Sequence, residues 1–505
     1  MMMACQVANT APRYAQAGRS HSLSHSLLRA SYTHKPNYTV YVRNNSAHSA
    51  RVLHAQKTPG IPYLSADLAS NHLEMLARAL TLIPRVLPTR TRRFSTAKFG
   101  SLHREVDEGG LLEFSVVYTD RALNHMSGNF QKVMKDCSAV LKEAYNAHAT
   151  AIIPGSGTFA MEAVVRQLTP PPAPGISPPL IIRNGWFSFR WTQIYAAAYP
   201  ATSPVVVKAQ RVMCGAGCGA SATSCPHCNG ICSVESAASC PTAPFAPPPI
   251  DTVVQQIRRT RPPLVFAPHV ETSTGIMLSN DYIKQLAAAT SEVGGLLVLD
   301  CIASGCLWVD MRALGVDVIV SAPQKGWSGP PCAGFVLMSD RARQSVQATT
   351  SNSFALDLKK WCSIMETYES GGHAYHATMP TMALVKVRDA LHETRSFGFA
   401  AAARAQEELG GAVRQVMKDA GLQDVAGAGC SAPTVVVSRA WPAAGDIVKA
   451  FGAQGVQVAA GVPLELGEGA DYKAFRIGLF GLDKLGDISR TVKRFEAALK
   501  AVKSG

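Results

Sequence analysis

Three short stretches bring together residue types that could act on one small molecule. The first is Pro154-Gly155-Ser156-Gly157-Thr158, which follows the apolar run 151–153 and precedes a helical run over 159–168. Small residues there let backbone N–H groups reach an anion at a helix N-terminus, and Ser156 and Thr158 add hydroxyls. Alone, such a turn is often only a turn. The second is Asp300, which closes the apolar run Leu296–Leu299. A carboxylate at the C-terminal end of a buried strand faces the crevice where open α/β sheets bind ligands, and it calls for a cationic partner. Its plainer role is a helix cap or a structural ion pair. The third is Lys325, in Ser321-Ala322-Pro323-Gln324-Lys325-Gly326-Trp327 after the apolar run 316–320. A partly desolvated loop lysine is a nucleophile, whereas a solvated one is only surface.

Taken in that order, the three fit one cofactor, pyridoxal 5′-phosphate. The phosphate needs the turn, the ring nitrogen needs the acid, and the aldehyde needs the amine.

The chain resembles the class V aminotransferases of fold type I, and within them the alanine–glyoxylate/serine–pyruvate aminotransferase family. The resemblance covers roughly residues 110–500. It rests on Ser156-Gly157-Thr158, Glu271-Thr272-Ser273-Thr274-Gly275, Leu299-Asp300 with Ala303-Ser304, Gln324-Lys325, Tyr375-His376-Ala377-Thr378-Met379-Pro380, and Phe475-Arg476-Ile477-Gly478. It implies that Lys325 condenses with the cofactor aldehyde and afterwards carries the substrate proton. Asp300 would pair with the ring nitrogen, and Thr272 would lie near the phenolic oxygen. Ser156, Gly157, Thr158 and Gln324 would hold the phosphate, with Tyr375 and Thr378 reaching it from the neighbouring subunit of a homodimer. Arg476 would clamp the substrate carboxylate. In Asn184-Gly185-Trp186-Phe187-Ser188-Phe189-Arg190 the ring-stacking aromatic aligns with Phe187, although Trp186 beside it could also stack. The implied activity moves an amino group from alanine or serine to glyoxylate or pyruvate, in a ping-pong cycle through pyridoxamine phosphate.

Gly155-Ser156-Gly157-Thr158-Phe159 also resembles the 2-aminoethylphosphonate–pyruvate transaminases, whereas Gln324-Lys325 favours the glyoxylate group. A cysteine desulfurase shares the fold and would need a cysteine facing the cofactor, for which Cys332 and Cys362 are the candidates. A reading of another class makes the protein a metal-binding or interaction protein that works through its cysteine-rich insertion.

The elements that must position these groups follow from patterning. Short apolar runs at 151–153, 180–182, 264–266, 296–299 and 316–320 alternate with helical stretches at 282–293, 379–394 and 400–420. Buried runs spaced by helices predict a mainly parallel sheet of the seven-stranded type in an α/β domain over 107–394. Strand candidates at 434–437, 456–458 and 475–477 and a final helix over 486–502 predict a smaller α+β domain over 395–505. Two insertions interrupt the large domain. Residues 170–179 hold six prolines and read as a surface loop. Residues 214–240 hold six of the 13 cysteines. Cys214, Cys218, Cys225 and Cys228 could supply zinc thiolates, but their spacing is not a clean pair of knuckles, and the Gly, Ala and Ser around them fit a low-complexity loop.

The 505-residue chain has a net charge of +14, which invites a search for an acidic partner. Residues 1–100 carry 13 Lys/Arg and only Asp67 and Glu74, so the body is near neutral. This removes the case for nucleic-acid binding by the folded part. Residues 1–66 lack Asp and Glu and are rich in Ser, Thr, Ala and His, the composition of an organelle transit segment or of a plain basic tail. We therefore read 1–106 as a disordered leader and expect an organellar matrix, mitochondrial before plastid, with the peroxisome disfavoured. No run of 18 apolar residues occurs that could form a membrane helix.

Overall fold

The computed structural model describes residues 38–42, 51–55, 115–119, 121–212, 240, 242–441 and 445–504. The chain divides into two units, Met1–Ser95 and Thr96–Gly505. In the first, strands Tyr38–Val42 and Arg51–Ala55 pair antiparallel, an element the composition of the leader does not announce. The rest of the leader lies outside the described residues.

The second unit is built on a seven-stranded sheet. Its strands are β1 (Ala149–Pro154), β2 (Leu180–Arg183), β3 (Val205–Lys208), β4 (Leu264–Pro268), β5 (Leu296–Asp300), β6 (Val318–Ser321) and β7 (Ala333–Met338). Their spatial order is β1-β7-β6-β5-β4-β2-β3. The pairs from β6 through β3 are parallel, while β7 runs antiparallel to both β6 and β1. Every residue of β2, β4, β5, β6 and β7 is buried. Helices cover both faces, which is why these strands read as continuous apolar runs instead of alternating ones.

The covering helices include α1 (Gly128–Tyr145), α2 (Gly157–Leu168), α3 (Trp186–Ala198), α4 (Ile250–Thr260), α5 (Asn280–Glu292), α6 (Leu358–Glu369) and α7 (Thr381–Phe397). Their starts are chemically marked. Ser127, Ser279 and Asp357 each accept an N–H of the first turn, satisfying donors that the helix leaves free. The proline-rich stretch is a loop, with 171–176 exposed.

Because β1, β2, β4, β5 and β6 share one direction, their C-terminal ends lie along one edge of the sheet. Gly155–Thr158, Gly185–Arg190, His269–Gly275, the Asp300 turn and the Lys325 loop all leave from that edge. The topology therefore gathers in space what the sequence scatters.

Beyond Gly398 come α8 (Phe399–Asp419), a three-stranded antiparallel sheet of β8 (Val435–Arg439), β9 (Ala459–Ala460) and β10 (Ala474–Gly478), and α9 (Ile488–Ser504). Leu409, Val413, Phe475, Ile477, Phe495 and Leu499 form its core. The expected strand at 456–458 is displaced to Ala459–Ala460. The Val456 N–H instead closes the preceding helix by donating to the Phe451 carbonyl at 3.0 Å, so its β-branched neighbours do not pair. Thr434 Oγ1 donates to the Ala303 carbonyl at 2.8 Å, and Ala432 N–H donates to the Gly275 carbonyl at 2.7 Å. These bonds fasten the small sheet to the loops of the large one and bring β10 over its edge.

Candidate active site

Lys325 lies in the connection from β6 to β7, half-buried, with Nζ 5.1 Å from the centre of the Phe480 ring. No hydrogen bond or ion pair holds its amine among the described residues. Burial pushes its pKa down and the Arg476 charge adds to this, so the amine gives up its proton more readily than a free lysine. Gly326 lets the loop seat, because a Cβ there would lie 2.0 Å from the Gly305 carbonyl oxygen.

Asp300 is buried at the end of β5, and its Oδ1 accepts the Ile302 N–H at 3.0 Å. Burial drives its pKa up to about 7. The Glu271 charge pushes the same way, against the Ile302 bond and Arg190. A buried acid in that state has room for a cation beside it.

Arg476 projects from β10, the central strand of the small sheet. Its Nε donates to the Ala460 carbonyl at 2.9 Å, and its guanidinium carbon lies 5.5 Å from the Phe187 ring centre. Burial lowers its pKa, while Glu271 and Tyr472 oppose the shift. Its planar guanidinium is of the kind that suits a carboxylate.

Phe187 opens α3. On its other polar neighbour, Arg190, the guanidinium carbon is 5.6 Å from the same ring, whereas Trp186 packs on Phe189 at 5.7 Å. The fold therefore aims Phe187, and not Trp186, at the two arginines. Glu271 fixes this turn. Its carboxylate accepts N–H groups of Phe187 and Ser188 at 3.1 and 2.8 Å, the Ser188 hydroxyl at 2.6 Å, and the Ser273 hydroxyl at 2.7 Å. Gly185 makes the approach possible, since a Cβ would stand 2.1 Å from Ser273 Oγ.

The turn Gly155–Thr158 enters α2 with no acid in the helix's first turn. Ser156 makes no side-chain cap bond, so its hydroxyl is available. Gly157 sits tightly against the Asp300 loop, where a Cβ would meet Ile302 Cδ1 at 2.5 Å. Thr158 Oγ1 accepts from Arg190 Nη1 at 3.1 Å. Gln324 is exposed beside Lys325, and Thr272 is half-buried at the head of its loop.

Tyr375 and Thr378 do not join this group within one chain. They bond each other at 3.2 Å, and Tyr375 is 55% exposed, its ring 5.5 Å from that of His125.

Two residues of weight were quoted in the sequence motifs without a role, Glu271 and Arg190. A signal for Arg190 exists in its spacing, since three residues after Phe187 is one helical turn. His269 is a third. It is buried, its Nδ1 lies 2.7 Å from Ser304 Oγ, and burial pushes its pKa down to about 4, which leaves it neutral.

The cysteines named for a desulfurase are poorly suited to attack. Cys332 and Cys362 are both buried, and burial pushes their thiols up to about 11 and about 12. Reactive cysteines need the opposite environment. Among the described residues no three His, Cys, Asp or Glu side chains group as metal ligands. Cys214, Cys218, Cys225 and Cys228 lie outside those residues.

The donor set fits a phosphorylated pyridine aldehyde. A small-residue turn opens a helix, an uncommitted amine has a lowered pKa, and a buried acid has no ion-pair partner among the described residues. Residues 247–464, which include Glu271, Asp300, Lys325 and Tyr375, match the family model for aminotransferase class V. A protein of Synechococcus sp. (strain PCC 6716) named soluble hydrogenase, small subunit, is 24% identical over 383 residues, 75% of this chain and 87% of that one. Alanine–glyoxylate aminotransferase 1 of Saccharomyces cerevisiae is 24% identical over 273 residues, 52% of this chain and 61% of the yeast protein. Other relatives are named 2-aminoethylphosphonate–pyruvate transaminases. Among solved structures, an alanine–glyoxylate aminotransferase from Nostoc sp. superposes with a TM-score of 0.58 at 21% identity, covering 75% of this chain and 89% of that one. Residues 247–464 are thus similar to the aminotransferase class V family, and the chain around them shares the fold of the Nostoc enzyme.

Proposed function

We propose that this protein is a pyridoxal 5′-phosphate-dependent transaminase that moves the amino group of alanine or serine to glyoxylate or pyruvate. The observation that carries the reading is that separate stretches bring Lys325 beside Phe480 and Arg476 beside Phe187, with the Arg476 charge acting on Lys325 and the Glu271 charge acting on both Asp300 and Arg476. When bound, the cofactor would supply an aldehyde and an electron sink. The chain's own residues account for the rest.

Lys325, whose pKa burial and Arg476 lower, is suited to attack a carbonyl carbon once deprotonated. Later it holds, on Nζ, the proton taken from the substrate's α-carbon. Asp300 becomes a stable carboxylate once a protonated ring nitrogen lies beside it. Arg476 presents a planar fork to the substrate carboxylate, and its bond to the Ala460 carbonyl sets the direction of that fork. Phe187 covers the cofactor ring, and Glu271 holds Phe187 in place. Ser156, Gly157, Thr158 and Gln324 would take the phosphate. Tyr375 and Thr378 would complete that site in a second copy of the chain, which makes the working unit a homodimer. The acid-free segment 1–66 would direct the protein to an organelle, the mitochondrion before the plastid.

Half-reactions decide the matter. Alanine or serine added to the loaded protein should change its absorbance, and glyoxylate or pyruvate should restore it. Lys325→Ala should lower the rate by about 10³-fold or more. The second reading, a 2-aminoethylphosphonate–pyruvate transaminase, draws on the Gly155–Phe159 turn and on relatives of that name. Conversion by aminoethylphosphonate alone would replace the first reading with it. An amine exchange with none of the three donors would sink both.

A further inference from the structure

We propose that Arg190 is the cation of the phosphate site, binding the cofactor's phosphate ester together with the Gly155–Thr158 turn. This rests on the proposed function and deepens it.

Charge balance leads to it. A phosphate monoester carries close to two negative charges near neutral pH. The residues assigned to it, Ser156, Gly157, Thr158, Gln324, Tyr375 and Thr378, are all neutral. The N-terminus of α2 contributes only about half a positive charge. A desolvated dianion held by these groups alone would be under-compensated.

Arg190 is placed to correct this. Its Nη1 already donates to Thr158 Oγ1 at 3.1 Å, so the guanidinium touches the turn itself. That bond uses one of five donors. Among the described residues it has no carboxylate partner. Its charge is felt at Asp300, where it opposes the upward shift of the carboxyl. It is anchored one turn into α3, with its guanidinium carbon 5.6 Å from the centre of the Phe187 ring, and Glu271 locks the start of that helix. A planar fork in that position is suited to two phosphate oxygens at once.

The rival explanation is mechanical, with Arg190 only bracing α3 against α2 through Thr158. Ligands with and without the phosphate separate the two. Cofactor-free wild type, Arg190→Gln and Arg190→Lys would be titrated with pyridoxal 5′-phosphate and with pyridoxal, and the bound fraction read from tryptophan fluorescence and absorbance. Inorganic phosphate would serve as a competitor. We expect Arg190→Gln to raise the dissociation constant for pyridoxal 5′-phosphate about 10- to 100-fold. Pyridoxal binding should be unchanged, competition by phosphate should be lost, and Arg190→Lys should fall between. Equal weakening of both ligands, or of neither, would overturn the proposal in favour of bracing. If Arg190→Gln does not fold by its melting curve, Arg190→Lys carries the same comparison. A wild type that binds both ligands equally has no phosphate site, which overturns the proposal and leaves the transaminase reading to its half-reactions. A wild type that binds neither ends both.

Discussion

The Glu271 carboxylate accepts the Ser188 hydroxyl at 2.6 Å and the Ser188 N–H at 2.8 Å, so the loop after β4 and the first turn of α3 are one piece. The same carboxylate also takes Phe187 N–H and the Ser273 hydroxyl. One fully buried acid thereby fixes the aromatic face of the site. It also places a negative charge near Asp300 and Arg476.

Replacing it tests that role. Glu271→Ala leaves several buried donors unpaired and should destabilise the fold by about 3 kcal/mol or more. The denaturant midpoint should fall while the slope holds. Glu271→Gln keeps the volume but loses the charge, and should free Asp300 to ionise at lower pH.

Asp300 gives the pH dependence of the cofactor-free protein. Its pKa is about 7 in the fold against 3.8 for the free side chain, so the folded state holds the proton more tightly. The stability it contributes is fully present below about pH 4. It is lost as pH rises through about 7, amounting to roughly 4 kcal/mol. Unfolding curves of the cofactor-free protein at pH 5, 6 and 7 should show that decline, and Asp300→Asn should flatten it. A cationic ring nitrogen bound beside Asp300 should also remove the decline.

What was legible in the sequence was what is local. Asp300 and Lys325 announce themselves because one closes an apolar run and the other lies in the loop just after one, and a strand's C-terminal end in a parallel sheet is where ligands bind. The seven-strand sheet was legible for the same reason, since buried parallel strands need unbroken apolar runs. The partnership of Phe187 with Arg476 was not, because it depends on how the small sheet is fastened through Thr434 and Ala432. Whether Phe187 or Trp186 faces the site could not be read from spacing either. In the fold the Phe187 ring lies by both arginines while Trp186 packs on Phe189. The weight of Glu271 and Arg190 stayed hidden for a related reason, since their partners come from other loops. Val456 shows the limit of propensity. A β-branched residue closes a helix because its N–H has a better use there than in a sheet.

Arg476 makes two separable contributions. Arg476→Lys keeps the charge and loses the fork, and should raise the KM for amino acid and oxo acid about 10- to 100-fold. Arg476→Gln loses both. Removing the charge relieves the repulsion that lowers the Lys325 pKa, so the amine binds its proton more readily and that pKa rises. The pH at which the cofactor-free protein combines with pyridoxal 5′-phosphate at half its maximal rate should therefore rise in Arg476→Gln and stay in place in Arg476→Lys. Identical shifts in both variants would show that Arg476 does not act on Lys325 through its charge.

Gly326 tests whether the position of Lys325 depends on backbone contact. A Cβ at Gly326 would lie 2.0 Å from the Gly305 carbonyl oxygen, and that neighbour is main chain which cannot rotate away. Cys306 Sγ also contacts the Gly326 carbonyl at 3.6 Å, so the two loops are packed along this line. Gly326→Ala must push the loops apart, at a cost of about 1–3 kcal/mol. Lys325, the adjacent residue, would move with the loop. A displaced amine should lose most of its rate, because a shift of about 1 Å in a reacting group can cost 10²-fold. Denaturation and half-reaction kinetics on the same variant check both parts. A stability loss with an unchanged rate would mean that Lys325 is positioned from elsewhere, by Phe480 and Trp327, and that the Gly326–Gly305 contact serves the fold alone.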